Sequence, residues 1–159
     1  MSAGAALPVL ALAPLLAGLL SLATHTKHAM EWLQGALVAV LLVAMALVVG
    51  QVASGHDAVV WHILRVDALG AFMILMLAIV GGTGLIYALG YMGEELARGH
   101  LGYLRYRLFF CLLNLYLWAM LSAATIDNIA LMWIALEGST LAAALLVGFE
   151  RTKAALEAG

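Results

Sequence analysis

The sequence contains very little charge. Only 10% of its 159 residues are Asp, Glu, Lys or Arg, whereas soluble domains have about 25%. Hydrophobic residues make up 66% of the chain, and the mean hydropathy is +1.10. The few basic residues form no patch, so we expect no nucleic-acid partner. This composition indicates an integral membrane protein whose first partner is the lipid bilayer.

Cysteine and proline are also scarce. Cys111 is the sole cysteine and lies in an apolar run, which excludes an internal disulfide and predicts a small buried residue. Pro8 and Pro14 both lie in the first apolar stretch, where they predict a kinked helix rather than a loop. His25 and His28 are three residues apart but lack a third ligand nearby, so we expect no metal site. No nucleotide-binding or other cofactor motif is present, and we expect no cofactor in this chain.

Five apolar segments approach the length of about 20 residues that a membrane helix needs. Lipid offers the backbone no hydrogen-bond partner, so each segment is predicted to be helical. The prediction is therefore an all-α integral membrane fold, one membrane domain over residues 1–159. The first segment is interpreted as a permanent span, because no Lys or Arg precedes Lys27 as a signal peptide would require. The predicted spans are 4–23, 33–52, 67–89, 108–125 and 128–149.

The basic residues predict the orientation of these spans. With five spans the loops alternate between the two sides of the membrane, and Arg65 is then alone on its side. The side richer in Lys and Arg is normally cytoplasmic. We therefore predict an external N-terminus and a cytoplasmic C-terminus. The basic residues on the cytoplasmic side would be Lys27, Arg98, Arg105, Arg107, Arg151 and Lys153.

Two connections have distinctive sequences. The loop from Gln51 to Val66 contains an alternating, strand-like pattern that predicts a short hairpin. The fourth and fifth spans are joined by almost nothing, so they must be antiparallel neighbours. Asp127 and Asn128 stand at the start of the fifth helix, where a side-chain oxygen is expected to cap free backbone N–H groups.

Glu137 is an acid in the interior of the fifth span. It lies about nine residues into that span, roughly 14 Å at 1.5 Å per residue. A carboxylate at that depth must be neutralised, paired or placed against a wet cavity. One hypothesis makes Glu137 a proton carrier whose protonation is controlled by a nearby cation; the other makes it an anchor for helix assembly. No Lys or Arg lies inside a predicted span, so a basic partner would have to come from outside this polypeptide.

Other polar residues lie in the last two spans. Asn114 and Ser122 share a similar face of the fourth span. They are expected either to hydrogen-bond between helices or to order water towards Glu137. Thr140 and Ala144 share a face with Glu137 and predict close approach of another helix.

Five segments within residues 66–158 carry a family resemblance: 66–70, 86–92, 107–115, 120–121 and 127–137. This part of the chain resembles the antiporter-like membrane subunits of respiratory complex I and its relatives. Segments 135–141 and 146–158 are similar to the branch found in hydrogenase-4 and formate hydrogenlyase. Leu136 occupies the place where complex I proper usually has a Trp before the glutamate.

The resemblance implies a function. Glu137 would be the family's membrane-buried glutamate, which pairs with a lysine on a later helix and moves protons by redox energy from a peripheral arm. Asp127 and Asn128 would belong to the motif at the start of that helix. The chain would then be a non-catalytic, proton-translocating subunit in a bacterial or archaeal cytoplasmic membrane. Its partners would be other membrane subunits of a redox-driven complex, including a chain that supplies the intramembrane lysine.

Several alternatives remain open at this point. The chain resembles only the N-terminal third of the family's full-length subunit, so a split or truncated subunit is one expectation. A structural or assembly subunit without transport activity is another, and a small proton-coupled transporter that oligomerises around Glu137 is a third. The sequence does not distinguish protons from sodium ions as the transported species.

Overall fold

The computed structural model describes residues 3–61 and 63–150. Within these residues the chain forms five α-helices and one small β-hairpin, and all five helices are long and apolar enough to cross a membrane. The predicted all-α class is confirmed, and α1 remains helical through Pro8 and Pro14. The elements are α1 (Ala3–Ala23), α2 (Lys27–Ala53), β1 (Ala58–Val60), β2 (Leu64–Val66), α3 (Ala68–Ala97), α4 (Tyr103–Thr125) and α5 (Ile129–Val147), followed by a 3-10 turn (Gly148–Glu150).

Three helices are longer than the apolar spans predicted for them. Helix α2 begins at Lys27, before the predicted span start at residue 33, and α4 begins at Tyr103, before residue 108. Helix α3 continues to Ala97, beyond the predicted span end at residue 89. Hydropathy marks only the part of a helix that suits hydrocarbon, whereas helical hydrogen bonding continues into charged turns. In these charged turns, oppositely charged side chains one helical turn apart form ion pairs. Lys27 and Glu31 are an example, with a nitrogen–oxygen distance of 3.7 Å.

Helix α4 is the centre of the bundle. It packs against α1, α3 and α5, while α2 packs against α1 and α3. Helix α5 therefore makes its main contacts, within the described part of the chain, with α4 alone. Its buried residues are Ala135, Ser139 and Ala142, which leaves most of its surface uncovered.

The predicted hairpin is present between α2 and α3. Strands β1 and β2 are antiparallel, with Ala58 opposite Val66. The alternation that predicted the hairpin includes His62, which lies outside the described residues. The Arg65 guanidinium donates to the Asp57 carboxylate at 2.9 Å, and this hydrogen bond raises the pKa of Arg65. Arg65 therefore stays positively charged at any physiological pH.

The hairpin is attached to the connection between α4 and α5. Leu64 forms an antiparallel bridge with Ile126, and the backbone N–H of Asp127 donates to the carbonyl of Ile63 at 2.7 Å. These bonds satisfy backbone groups of a very short turn. They also fix the point from which α5 begins.

The two ends of the bundle differ in charge. At the end opposite the hairpin, which we call the basic end, the Tyr103 hydroxyl lies 3.4 Å from the Thr24 hydroxyl and joins the two helix connections. Arg65 is at the hairpin end, as the sequence predicted. The cytoplasmic location of the basic end stays a prediction, and Arg151 and Lys153 lie outside the described residues. The basic residues at this end are Lys27, Arg98, Arg105 and Arg107.

Helices α1 and α4 approach closely at Gly18. A Cβ atom at this glycine would lie 3.2 Å from the Asn114 Cβ and 3.3 Å from the Cys111 carbonyl oxygen. Small residues permit such contacts between membrane helices. Cys111 itself is only partly buried, whereas the sequence predicted a buried residue, because its side chain is not on the most enclosed face of α4.

Replacement of Gly18 by Val should separate α1 from α4. The expected loss is about 1–3 kcal/mol of unfolding free energy, as for other overpacked cores. Gly35→Val is the matched control, since a Cβ at Gly35 would meet nothing within 4 Å. Unfolding of both variants in detergent, followed by circular dichroism, measures the difference. Equal stability of the two variants would contradict the close approach at Gly18.

Candidate functional site

Glu137 lies near the middle of α5, on the side that α4 does not cover. The contact with α4 is made by Ala135, Ser139 and Ala142, and Glu137 is about 200° around the helix from Ala135. Its side chain is exposed within this chain. The carboxylate forms no hydrogen bond or ion pair with any residue between 3 and 150 that the structure describes. Any partner for it must come from outside those residues.

The surface around Glu137 has the form of a helix-packing face. Thr140 and Ala144 continue along it as small residues, and the Thr140 hydroxyl donates to the Glu137 carbonyl at 2.8 Å. Trp133 and Leu141 flank the small residues and are 68% and 69% exposed. A path of small residues between large apolar ones is typical of surfaces where a second membrane helix packs. We call this surface, formed by Trp133, Glu137, Thr140, Leu141 and Ala144, the outer face of α5.

An apolar groove lies beside this face. It has a volume of about 540 Å³ and runs along α4 between α3 and α5. Met76 and Gly81 line its α3 side, Tyr116 and Met120 lie on α4, and Leu136 borders it on α5. Leu136 immediately precedes Glu137. The uncovered part of α5 is therefore continuous with an open apolar surface.

A second set of polar residues joins three helices inside the bundle. The Asn114 amide is fully buried and donates to Gln34 Oε1 at 3.1 Å and to the Phe110 carbonyl at 2.9 Å. Gln34 Nε2 donates to Ser21 Oγ at 2.9 Å, and Ser21 donates to the Ala17 carbonyl at 2.7 Å. This polar clasp of Asn114, Gln34 and Ser21 connects α4, α2 and α1.

The chemistry of the polar clasp suits assembly better than proton transfer. It contains two amides and one hydroxyl, none of which titrates at physiological pH. Asn114 Oδ1 has no hydrogen-bond partner among the described residues, so it remains available to an internal water. Sequence reasoning missed Gln34 and Ser21. The sequence signal that could have identified them was a polar residue within an apolar span, Ser21 in the first span and Gln34 in the second.

The structure does not bring Asn114 next to Glu137. Asn114 faces α1 and α2, whereas α5 meets α4 near Ala119, where a Cβ at Gly138 would lie 3.9 Å from the Ala119 Cβ. Ala119 is about 140° around α4 from Asn114. Ser122 is buried in α4. Of the three polar residues that the sequence singled out beside Glu137, only Thr140 lies on the same face as Glu137. A water path from Asn114 to Glu137 would have to pass around α4.

The start of α5 is capped by Asn128. Its Oδ1 accepts hydrogen bonds from the backbone N–H groups of Ala130 and Leu131, both at 3.1 Å. Asp127 precedes the cap, and its own N–H donates to Ile63. The two residues therefore have different local roles. Asn128 caps the first backbone N–H groups of α5, and Asp127 connects the start of α5 to the hairpin.

Comparison with known proteins supports the resemblance to complex I-like membrane subunits. Residues 58–106, which cover the hairpin, α3 and the start of α4, match the family model for the N-terminus of chain 5 of NADH-ubiquinone oxidoreductase (complex I). The chain is 34% identical over 93 residues to a hydrogenase-4 component F homolog of Methylacidiphilum infernorum. Over these residues the chain is similar to the N-terminal part of the antiporter-like membrane subunits. The resemblance inferred from the sequence is thereby confirmed.

Other relatives are NADH-quinone oxidoreductase L subunits. That of Mycobacterium tuberculosis is 38% identical over 86 residues, and that of Rhodobacter capsulatus is 34% identical over 86 residues. These alignments cover 54% of this chain, and the alignment with the component F homolog covers 58%. They span only 12% of the L subunits and 20% of the component F homolog. Its five apolar helices and these relatives indicate that the chain is a multi-pass membrane protein.

A double-mutant cycle on Asn114 and Gln34 should show that they stabilise the bundle together. Asn114→Ala leaves Gln34 Oε1 without its donor, and Gln34→Met leaves the Asn114 amide without its interhelical acceptor. Each single change is expected to cost about 1–3 kcal/mol. The double variant should cost less than the sum, with a coupling of about 0.5–2 kcal/mol. Unfolding in detergent measures these values, and strictly additive losses would show that the hydrogen bond contributes nothing.

Proposed function

We propose that this chain is part of a proton-translocating membrane subunit of a complex I-like or hydrogenase-4-like redox complex, and that Glu137 is its proton carrier. The observation that carries the proposal is the position of Glu137. Other Asp, Glu, Lys and Arg residues within the described helices lie near helix ends, whereas Glu137 is central in α5. Ionisable groups are costly at that depth and usually serve a function. The relatives, a NADH-quinone oxidoreductase subunit and a hydrogenase-4 component F homolog, support the same class of complex.

The outer face of α5 supports a partner helix. In a membrane, the Glu137 carboxyl would meet acyl chains unless another helix covered it, because α4 lies on the opposite side. We propose that the covering helix belongs to another membrane subunit or to further sequence, and that it carries a lysine. An ammonium close to Glu137 favours the ionised carboxylate, and its withdrawal favours the protonated acid. Movement of that lysine would thus make Glu137 bind and release a proton.

The charge distribution supports an orientation. Lys27, Arg98, Arg105 and Arg107 at the basic end would face the cytoplasm, and the hairpin end would face outward. The N-terminus would be external and the C-terminus internal, in a bacterial or archaeal cytoplasmic membrane. We propose that this chain binds no cofactor and that electron transfer takes place in other subunits of the complex.

Substitution of Glu137 by Gln should abolish coupled proton transport while the complex still assembles. Gln keeps the size and hydrogen-bonding ability of the acid but cannot release a proton. The initial rate of acidification in inverted membrane vesicles should fall at least about 100-fold, the low end of what proton-transfer groups contribute. Glu94→Gln is the matched control, because Glu94 is an exposed acid at the basic end, paired with Arg98 at 3.0 Å. Normal pumping by the Glu137→Gln variant would contradict the carrier role.

The same variants distinguish the second candidate function, a purely structural subunit. The observation that favours a structural subunit is the exposed packing face around Glu137, which would then serve assembly alone. In that case Glu137→Gln should leave the complex functional, whereas Glu137→Leu should prevent its assembly. A repeat of the vesicle assay with and without sodium and with a protonophore separates proton from sodium transport.

Single cysteines should reveal what covers the outer face of α5. With Cys111 replaced by Ser, Ala144→Cys places a thiol on the outer face, and Ala142→Cys places one against α4, where Ala142 is only 1% exposed. A membrane-permeant benzophenone maleimide should label the Ala144→Cys variant and leave Ala142→Cys unlabelled. On irradiation, the benzophenone on Ala144→Cys should insert into a C–H bond of another polypeptide helix. Gel mobility and peptide mass spectrometry identify the product. If labelled Ala144→Cys forms photoproducts with lipid alone, the face is lined by lipid and the partner-helix proposal is wrong.

A further inference from the structure

A cavity of about 480 Å³ opens at the basic end, separate from the Glu137 region. It lies between the last turns of α3, the first turns of α4, and the end of α5 with the 3-10 turn that follows. Its polar lining residues are Glu95, His100 and Arg105, which we call the rim, and its lining also includes the aromatic pair Phe109 and Phe149, which we call the floor. The cavity therefore combines a polar rim with an apolar interior.

The charge on the rim favours an anion. The Glu95 carboxylate lies 3.2 Å from His100 Nδ1 and 3.9 Å from Arg98 Nη1, so its negative charge already has partners. Arg105 is exposed at the cavity and forms no ion pair with any acid whose side chain the structure describes. A guanidinium presents two parallel N–H donors that match a phosphate oxygen pair. The Arg105 side chain is thus suited to a phosphate group.

The floor of the cavity favours a hydrocarbon chain beside that phosphate. Phe109 follows Arg105 by one helical turn on α4, and its ring packs edge-on against Phe149 at a centroid distance of 5.4 Å. Phe109 lies one turn further into α4 than Arg105, towards the part of the bundle that suits hydrocarbon. A ligand that fits both regions must be anionic at one end and apolar at the other.

We propose that this cavity binds one anionic phospholipid, with its phosphate on Arg105 and an acyl chain over Phe109 and Phe149. The basic end of a multi-pass bundle lies at headgroup level, where anionic lipids attract Lys and Arg. The cavity provides a specific position for the lipid, because Arg98 is engaged by Glu94 and Glu95 and Arg107 does not line the cavity. This inference does not depend on the role of Glu137.

Lipid retention in native mass spectrometry tests the proposal. The 159-residue chain is purified in detergent with equal amounts of phosphatidylglycerol and phosphatidylcholine, and the ratio of the two bound lipids is measured. Arg105→Gln should lower the ratio of bound phosphatidylglycerol to phosphatidylcholine about fivefold, the factor expected for one Arg near an anionic headgroup. Arg98→Gln is the matched control, with the same loss of charge at the same level but outside the cavity lining. It should change the ratio less than about twofold.

Two further measurements complete the test. Phe109→Ala should reduce retention of both lipids and leave their ratio unchanged, and circular dichroism establishes that each variant is folded. Excess inorganic phosphate should not displace the bound lipid; displacement would overturn the assignment of a lipid rather than a free phosphate. An unchanged ratio in Arg105→Gln, or an equal fall in Arg98→Gln, would also overturn it, because the attraction would then be absent or merely general.

Discussion

Hydrocarbon cannot solvate an ion or an unpaired backbone group, and this constraint accounts for most of what the structure shows. The backbone is helical where it would cross the membrane, and the Asn114 and Gln34 amides hydrogen-bond to each other between helices. Charged side chains at the basic end pair with one another, as Arg98 does with Glu94. Glu137 stands apart, because it is central in a membrane-length helix and no group among the described residues pairs with it. That contrast makes it the strongest candidate for function.

The bundle consists of a closely packed part and an attached helix. Helices α1 to α4 contact one another in sequence around a common core, and Gly18 and the polar clasp hold α1, α2 and α4 in register. Helix α5 joins this part through one face and through the hairpin bonds at its start. A rigid support that presents one helix with an acid on its uncovered side is well suited to a mobile cation on a neighbouring helix. The same arrangement would serve assembly if Glu137 only forms a hydrogen bond. The carrier role requires the Glu137 carboxyl to release its proton, whereas the assembly role does not.

The two candidate sites occupy different depths. Glu137 lies at the middle of α5, whereas the Arg105 cavity lies at the end of the bundle where that helix finishes. They share no residue. A lipid at the cavity would contact the end of α5 and the starts of its neighbours, so it would stabilise the position of α5 without taking part in proton transfer. The matched family model, at residues 58–106, includes part of the cavity but not Glu137.

The sequence by itself determined the number of apolar helices, the hairpin, the sorting of basic residues between two ends, and the presence of an acid at mid-span. These are properties of local composition and spacing, so no knowledge of neighbours is needed. Helices α2 and α4 begin before the predicted apolar spans 33–52 and 108–125, because hydropathy reports preference for lipid and not the hydrogen bonding of charged turns. Only the tertiary structure showed that Gln34 pairs with Asn114 eighty residues away, and that Glu137 points away from α4. In a membrane both lipid and protein neighbours are apolar, so the pattern of apolar residues along a helix does not reveal which side meets protein.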